Sequence, residues 1–380
     1  MPAVHQIARA TPATRDRFMD FLRAFSICAV VLGHYFIYAA HAQGGRLWLE
    51  NAVASVPALW LATWLLQVMP LFFVVGGFAN ATALASATRR GEGWRSYAAA
   101  RVRRLLRPAV VFAAAWLVVA VVWRLAAPGR PGLLATTTVP FGPLWFLYVY
   151  LAVILLAPVT LALHRRFGLA VPVALAAGVA AVDLARFGLD LPGVGLVNLL
   201  LVWVFAHQLG YFYADGRLAR AGRRGHVLLA VSGLALLVAL VAVLGYPRPM
   251  FGSDARGLSN QFPPTLAMVA MTLWLTGLAM LARAPLSRWL DRPRVWAVVV
   301  LVNLNVLTLF LWHMSAYLLV VLATGTLAGL PPAGSGGWWL SRPLWIASAL
   351  LLLAPIVAVF GRAERNGSVR ALFTRAPRAA

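Results

Sequence analysis

The apolar positions of this chain neither alternate nor trace a single helical stripe; they run. Ten apolar stretches succeed one another at 21–40, 65–87, 108–127, 143–163, 168–187, 193–213, 226–245, 263–283, 305–326 and 343–361. Each is about 20 residues long, the length that crosses a hydrocarbon core. Short polar or glycine- and proline-bearing breaks separate them. The pattern predicts an all-α fold, a polytopic transmembrane helix bundle of about ten spans. Two stretches overrun this length. Residues 52–87 are interrupted by Pro57 and Pro70, so 52–64 are expected to lie along the outer surface. Residues 295–329 are also too long, and the part before Asn303 is expected to be an interfacial lead-in to the ninth span. No internal repeat is visible. The first 19 residues are polar and carry Arg9, Arg15 and Arg17. The apolar run after them lacks a small-residue cleavage site, so it reads as a retained span rather than a signal peptide. The expected organisation is a cytoplasmic N-terminal tail (1–19), a transmembrane domain (20–361) and a basic cytoplasmic C-terminal tail (362–380).

Composition supports the spans and sets their direction. Of 380 residues, 62% are hydrophobic and 11% charged. That is too little charge for a water-soluble surface and too much apolar content for a disordered chain. There is no lysine, so all 33 basic residues are arginine, against 10 acids and a net charge of +23. In a soluble chain such an excess would indicate nucleic acid. Here it orients helices, so membrane lipid is the expected partner and nucleic acid is not. With the N-terminus in the cytoplasm, 26 of the 33 arginines fall on the inner side. The outer side holds Arg46, Arg124, Arg130, Arg186, Arg248, Arg256 and Arg342. An even number of spans with both termini cytoplasmic satisfies this bias. The one cysteine, Cys28, excludes an internal disulfide and is expected to be a small core residue.

Polar groups inside spans are costly, and each needs a reason. Arg23 and His34 are 11 residues apart in the first span. At 100° per residue that is three turns plus about 20°, so both lie on one helix face, separated by a rise of ~16 Å. With Arg23 at the cytoplasmic edge, His34 is expected near mid-membrane. Imidazole is the side chain best suited to moving protons near neutral pH; the plainer reading is a histidine hydrogen-bonded in a bundle core. Arg101, Arg104 and Arg107 precede the third span at intervals of three and are expected to share a face, where their guanidinium forks suit phosphate oxygens. The plainer reading is a topological anchor. His313 is expected to lie inside the ninth span and to share a polar cavity with His34. A metal pair would need further ligands, and neither an HExxH motif nor a carboxylate partner accompanies the two histidines. Trp145 and Tyr148 open the fourth span as belt or site aromatics. Asn260, at the outer mouth of the eighth, would either bind a hydroxylated acceptor or cap its loop. His207 and Gln208, near the inner end of the sixth span, are open between packing and site.

These residues resemble the acyltransferase family 3 of integral membrane proteins. Arg23, ten residues and then His34, with Asp20 three positions earlier, match that family's opening motif. The run from Pro70 through Phe72, Phe73, Gly76, Gly77 and Phe78 is similar to its second-span pattern, with glycine at 76 where a serine is usual. Arg104, Arg107 and Pro108 resemble its Arg-x-x-Arg block, and the segments around Trp145, Tyr148 and His313 resemble two more. The resemblance implies transfer of an acyl group, most often acetyl, from cytosolic acyl-CoA to a hydroxyl of an envelope glycan, glycolipid or other hydroxylated acceptor. No metal is implied. It gives Arg104, Arg107 and, with them, Arg23 and Arg101 to the coenzyme A phosphates. His34 becomes the general base or transient acyl carrier, with His313 as a further proton carrier and Tyr35 orienting His34 or the acceptor. About 19 residues follow the last span, so the chain is expected to act without a fused soluble domain. The competing class is a transporter of sugars, lipids or protons without covalent chemistry. Against it stand the lack of an inverted repeat and of a carboxylate relay. A bare scaffold leaves the shared face of Arg23 and His34 unexplained.

Overall fold

The computed structural model describes residues 11–12, 15–44, 46–129, 137–254, 257–327 and 329–373. The expected positions of Arg9, Arg130 and Arg256 lie outside the described residues, as do those of Arg375 and Arg378 in the C-terminal tail. Among the described residues ten helices are long and apolar enough to cross a membrane, one for each expected span.

The first span, α1 (Arg17–Ile37), starts at Asp16, whose carboxylate accepts from the Met19 amide at 2.9 Å and from the Tyr213 hydroxyl at 2.7 Å. It ends three residues earlier than the apolar run. The Tyr38 carbonyl turns out of the helix and accepts from Arg342 Nη1 at 2.8 Å and from the Tyr317 hydroxyl at 3.0 Å. The chain then enters an antiparallel hairpin, β1 (Tyr38–Gln43) and β2 (Arg46–Asn51), in register from Tyr38↔Asn51 to Gln43↔Arg46. Hydropathy does not foretell this hairpin, because its Ala and Leu positions read like span ends. A 3-10 turn (Pro57–Leu59) and the short α2 (Trp60–Leu66) follow, before α3 (Met69–Arg89). The overlong second stretch is thus broken at Gln67, whose side chain accepts from the Met69 amide and donates to the Met250 carbonyl, both at 3.3 Å.

Next come α4 (Trp94–Ala126), α5 (Trp145–Phe167), α6 (Ala170–Gly188) and α7 (Asn198–Ala214). A four-residue turn, α8 (Arg217–Arg220), leads to α9 (Gly222–Ala242) and α10 (Leu266–Leu290). The lead-in before Asn303 is a separate helix, α11 (Pro293–Asn303), ahead of α12 (Val306–Leu327) and α13 (Gly336–Phe373). The centre of the bundle is α12 and α7, with 67% and 61% of their apolar windows buried; α4 and α6, at 11% and 17%, face outward. Close backbone approach builds this centre. A Cβ at Gly77 would lie 2.0 Å from the His207 carbonyl oxygen, and one at Gly210 would lie 2.1 Å from that of Val74. Only glycine lets α3 and α7 meet so tightly, as small residues do between membrane helices. Cys28 is exposed rather than in the core. It shares the outward face of α1 with Phe25 and Leu32, where a small apolar thiol meets lipid as readily as protein.

Candidate active site

One face of α1 organises the site. Arg23, Ile27, Val30 and His34 recur at four-, three- and four-residue intervals, and all four line a pair of adjoining cavities. The shared face read from the 11-residue spacing of Arg23 and His34 is therefore the face that lines both cavities.

The cavity at the arginine-rich end has a volume of about 100 Å³ and is lined by Arg23, Arg101, Arg104 and Glu364 among apolar groups. Three guanidinium groups against one carboxylate leave this lining positive. Arg23 lies 3.4 Å from Asp20, whose carboxylate also receives two hydrogen bonds from Arg15. The backbone carbonyl of Asp20 accepts from Asn303 at 2.8 Å, which ties the start of α1 to α11. Asp20 is thus an anchor for Arg23 and not itself part of the lining. Arg101 donates to the Ala79 carbonyl at 2.7 Å, so α3 aims it. Arg107 is exposed and is not part of the lining. Six residues at 100° each carry it about 120° round the helix from Arg101, so the three arginines do not share one face. Glu364 spends its charge on α12: it accepts from the amides of Leu307 (3.0 Å) and Thr308 (2.8 Å) and from the Thr308 hydroxyl (2.7 Å). A carboxylate there satisfies helix N–H groups and complements the helix dipole.

The cavity at the hairpin end has a volume of about 110 Å³, and its polar lining comes from His34, Tyr38, Gln67, Trp145 and Gln261. It has no charged side chain in its lining. His34 stands three residues from the end of α1 and is half-buried, in a cavity that Tyr38, Phe251, Gly252 and Gln261 also line. His34 Nδ1 lies 2.7 Å from the Val30 carbonyl oxygen. A carbonyl only accepts, so the proton is on Nδ1 and the Nε2 lone pair is free. The same holds for His313, whose Nδ1 lies 2.7 Å from the Phe310 carbonyl oxygen and whose buried Nε2 has no partner among the described residues. The two rings are 4.9 Å apart, centroid to centroid. Burial pushes the Tyr38 phenol above its usual range, which keeps it a neutral donor at physiological pH; its ring lies 5.3 Å from that of His34.

Other sequence expectations separate here. Tyr35 donates to the His313 carbonyl at 2.9 Å, so it orients His313 rather than His34. Tyr148 is exposed on the outward side of α5. Asn260 is fully engaged with its loop, donating to Pro247 and Pro249 and accepting from Thr265; its neighbour Gln261 is the amide that reaches the cavity. His207 is bonded to Asn80 and Tyr211, and Gln208 to His164 and Thr160, so both serve the helix interface. Sequence reasoning missed Arg342, 2% exposed and 4.5 Å from the ring centroids of both Trp338 and Trp345. Through Tyr38 and Tyr317 it braces the histidine pair, and Tyr317 stacks on Tyr35 at 5.3 Å. Its signal is an arginine set among apolar residues at the hairpin end. Glu364 was missed as well, and its signal is the lone acid in an otherwise basic tail.

A cation-lined cavity thus adjoins a histidine-lined one inside a bundle of ten candidate membrane spans. The model of the acyltransferase 3 family, described as an acyltransferase domain, matches residues 16–362, and the chain belongs to that family. No curated protein and no solved structure matches the chain. Among the described residues no cluster of three or more His, Cys, Asp or Glu could hold a metal ion.

Proposed function

We propose that this acyltransferase takes its acyl group, acetyl in the first instance, from acyl-CoA at the arginine-rich end and passes it to a hydroxyl held at the hairpin end. The observation that carries this reading is the adjacency of the two cavities. Val30, Met69, Phe146 and Phe310 line both, so a thioester entering past the arginines can meet His34 without leaving the protein. Arg23, Arg101 and Arg104 are the ligands for the coenzyme's phosphates, which a planar guanidinium holds bidentately. The arginine-rich end faces the cytoplasm, in keeping with the inner-side bias of the arginines, and the membrane is the inner, cell membrane.

His34 is the general base. Its Nε2 lone pair, presented because Val30 holds the Nδ1 proton, takes the proton of the acceptor hydroxyl as that oxygen attacks the thioester carbonyl. The carbon–sulfur bond breaks, and the imidazolium returns the proton to the departing thiolate. Nothing is left over: one ester and one thiol form. The uncharged lining of the hairpin-end cavity, with Trp145 and Tyr38 as flat walls and Gln67 and Gln261 as amides, suits a neutral hydroxylated acceptor such as a glycan, a glycolipid or another polyol.

The test is release of free thiol from acetyl-CoA by the purified protein in the presence of neutral hydroxylated compounds. Acceptor-dependent thiol release that is absent from His34→Ala supports the reading. Uptake of such compounds into vesicles without thiol release would return the protein to the transporter class.

A further inference from the structure

We infer that the four side chains common to the two cavities form a selectivity ring that fixes the length of the acyl group. This rests on the proposed entry of acyl-CoA at the arginine-rich end. Each member comes from a different helix: Val30 from α1, Met69 from α3, Phe146 from α5 and Phe310 from α12. Among the described residues they are the only lining residues that the two cavities share. Any acyl group that travels from the arginines toward His34 passes them.

The ring is apolar and tightly supported. Phe146 and Phe310 meet edge to face at 5.1 Å, and Phe72 packs on Phe146 at the same distance. Phe310 is 6% exposed, Phe146 4% and Met69 7%, so these ring members are held in packed surroundings. The ring is also coupled to the chemistry. The Val30 and Phe310 carbonyls accept the Nδ1 protons of His34 and His313, so the residues that set the width also set the tautomers. A short acyl group brings its carbonyl to the ring with little beyond it. A longer chain must thread its methylenes between two phenyl rings and a valine. The ring therefore admits short acyl groups and rejects long ones, and Phe310 and Val30 are its adjustable members.

The experiment measures binding of coenzyme A, acetyl-CoA, butyryl-CoA and hexanoyl-CoA to the purified full-length protein, so it needs no acceptor. Wild type binds acetyl-CoA at least as tightly as hexanoyl-CoA. Phe310→Ala opens the ring, and each methylene newly accommodated is worth roughly fourfold in affinity. The hexanoyl-to-acetyl affinity ratio should therefore rise at least about tenfold. Phe310→Leu, which keeps more of the packing, should move the ratio the same way by less. Val30→Leu narrows the ring and should lower butyryl-CoA affinity relative to coenzyme A. Leu237→Ala, a buried change on α9 that lines neither cavity, should leave the ranking as in wild type. If wild type binds coenzyme A and the Phe310 variants keep its chain-length ranking, the ring is not the selector. If wild type binds neither coenzyme A nor its thioesters, the donor reading falls and takes the ring with it.

Discussion

His34 and His313 illustrate how little of a histidine's role is carried by its position alone. Both rings give their Nδ1 proton to a carbonyl one turn back on their own helix, and both turn Nε2 away from it. Of the two, His34 is in the lining of the hairpin-end cavity and His313 is not, which is why His34 is the proposed base. Replacing His34 with alanine should cut turnover roughly 10²- to 10⁴-fold with donor affinity retained, as steady-state kinetics and coenzyme A binding would record. A variant that turns over normally would reduce His34 to packing. The arginines give a sharper contrast. Arg104 lines the cation-rich cavity and Arg107 does not. A charge-assisted bond contributes ~1.5–3 kcal/mol, so Arg104→Gln should raise the Michaelis constant for acyl-CoA about ten- to a hundredfold and leave that for the acceptor alone. Arg107→Gln should change either constant little. Equal effects would argue against this geometry. The face shared by Arg23 and His34 was legible in the sequence, because helical periodicity is arithmetic. The parting of Arg107 from Arg101 follows from the same arithmetic carried one turn further. The bracing of Tyr38 by Arg342 was not legible, since 304 residues separate them.

Among the elements, α3 carries Met69, Phe72 and Ala79 of the arginine-rich cavity and packs against α7. Their contact depends on Gly77 and Gly210, across which Asn80 reaches His207 at 3.0 Å. Gly77→Ala would drive a methyl group into the His207 carbonyl. Overpacking of this kind costs about 1–3 kcal/mol and should lower the thermal midpoint of the purified protein, while the corresponding change at Gly93, with open space around it, should not. Equal midpoints would mean that the two helices can part without loss. The spans themselves were legible because a run of some 20 apolar residues has few other uses. The hairpin after α1 was not, because its first residues, Tyr38 to Ala40, fall within the first span's apolar run. Its place is set by distant donors, Arg342 and the Tyr317 hydroxyl, which take the Tyr38 carbonyl out of the helix.

At the scale of the whole molecule, the bundle keeps two unlike ends in register. Arg23, Arg101 and Arg104 stand at one end, and the uncharged cavity of His34, Tyr38, Gln67 and Gln261 at the other, with four apolar side chains common to both cavities between. The arginine bias that orients the helices and the arginines that hold a phosphate-bearing donor are, on this account, partly the same residues. That is why the sequence alone left the anchor and the ligand readings side by side. The measurement that bears most directly on the account is the sidedness of the donor. Sealed membrane vesicles of known orientation, carrying the protein and the membrane's own acceptors, would be given labelled acetyl-CoA, which does not cross the bilayer, on one face at a time. The account predicts acetyl incorporation only when the label is supplied to the arginine-rich face, and none from that face with His34→Ala. Incorporation from the hairpin face, or equally from both, would contradict it.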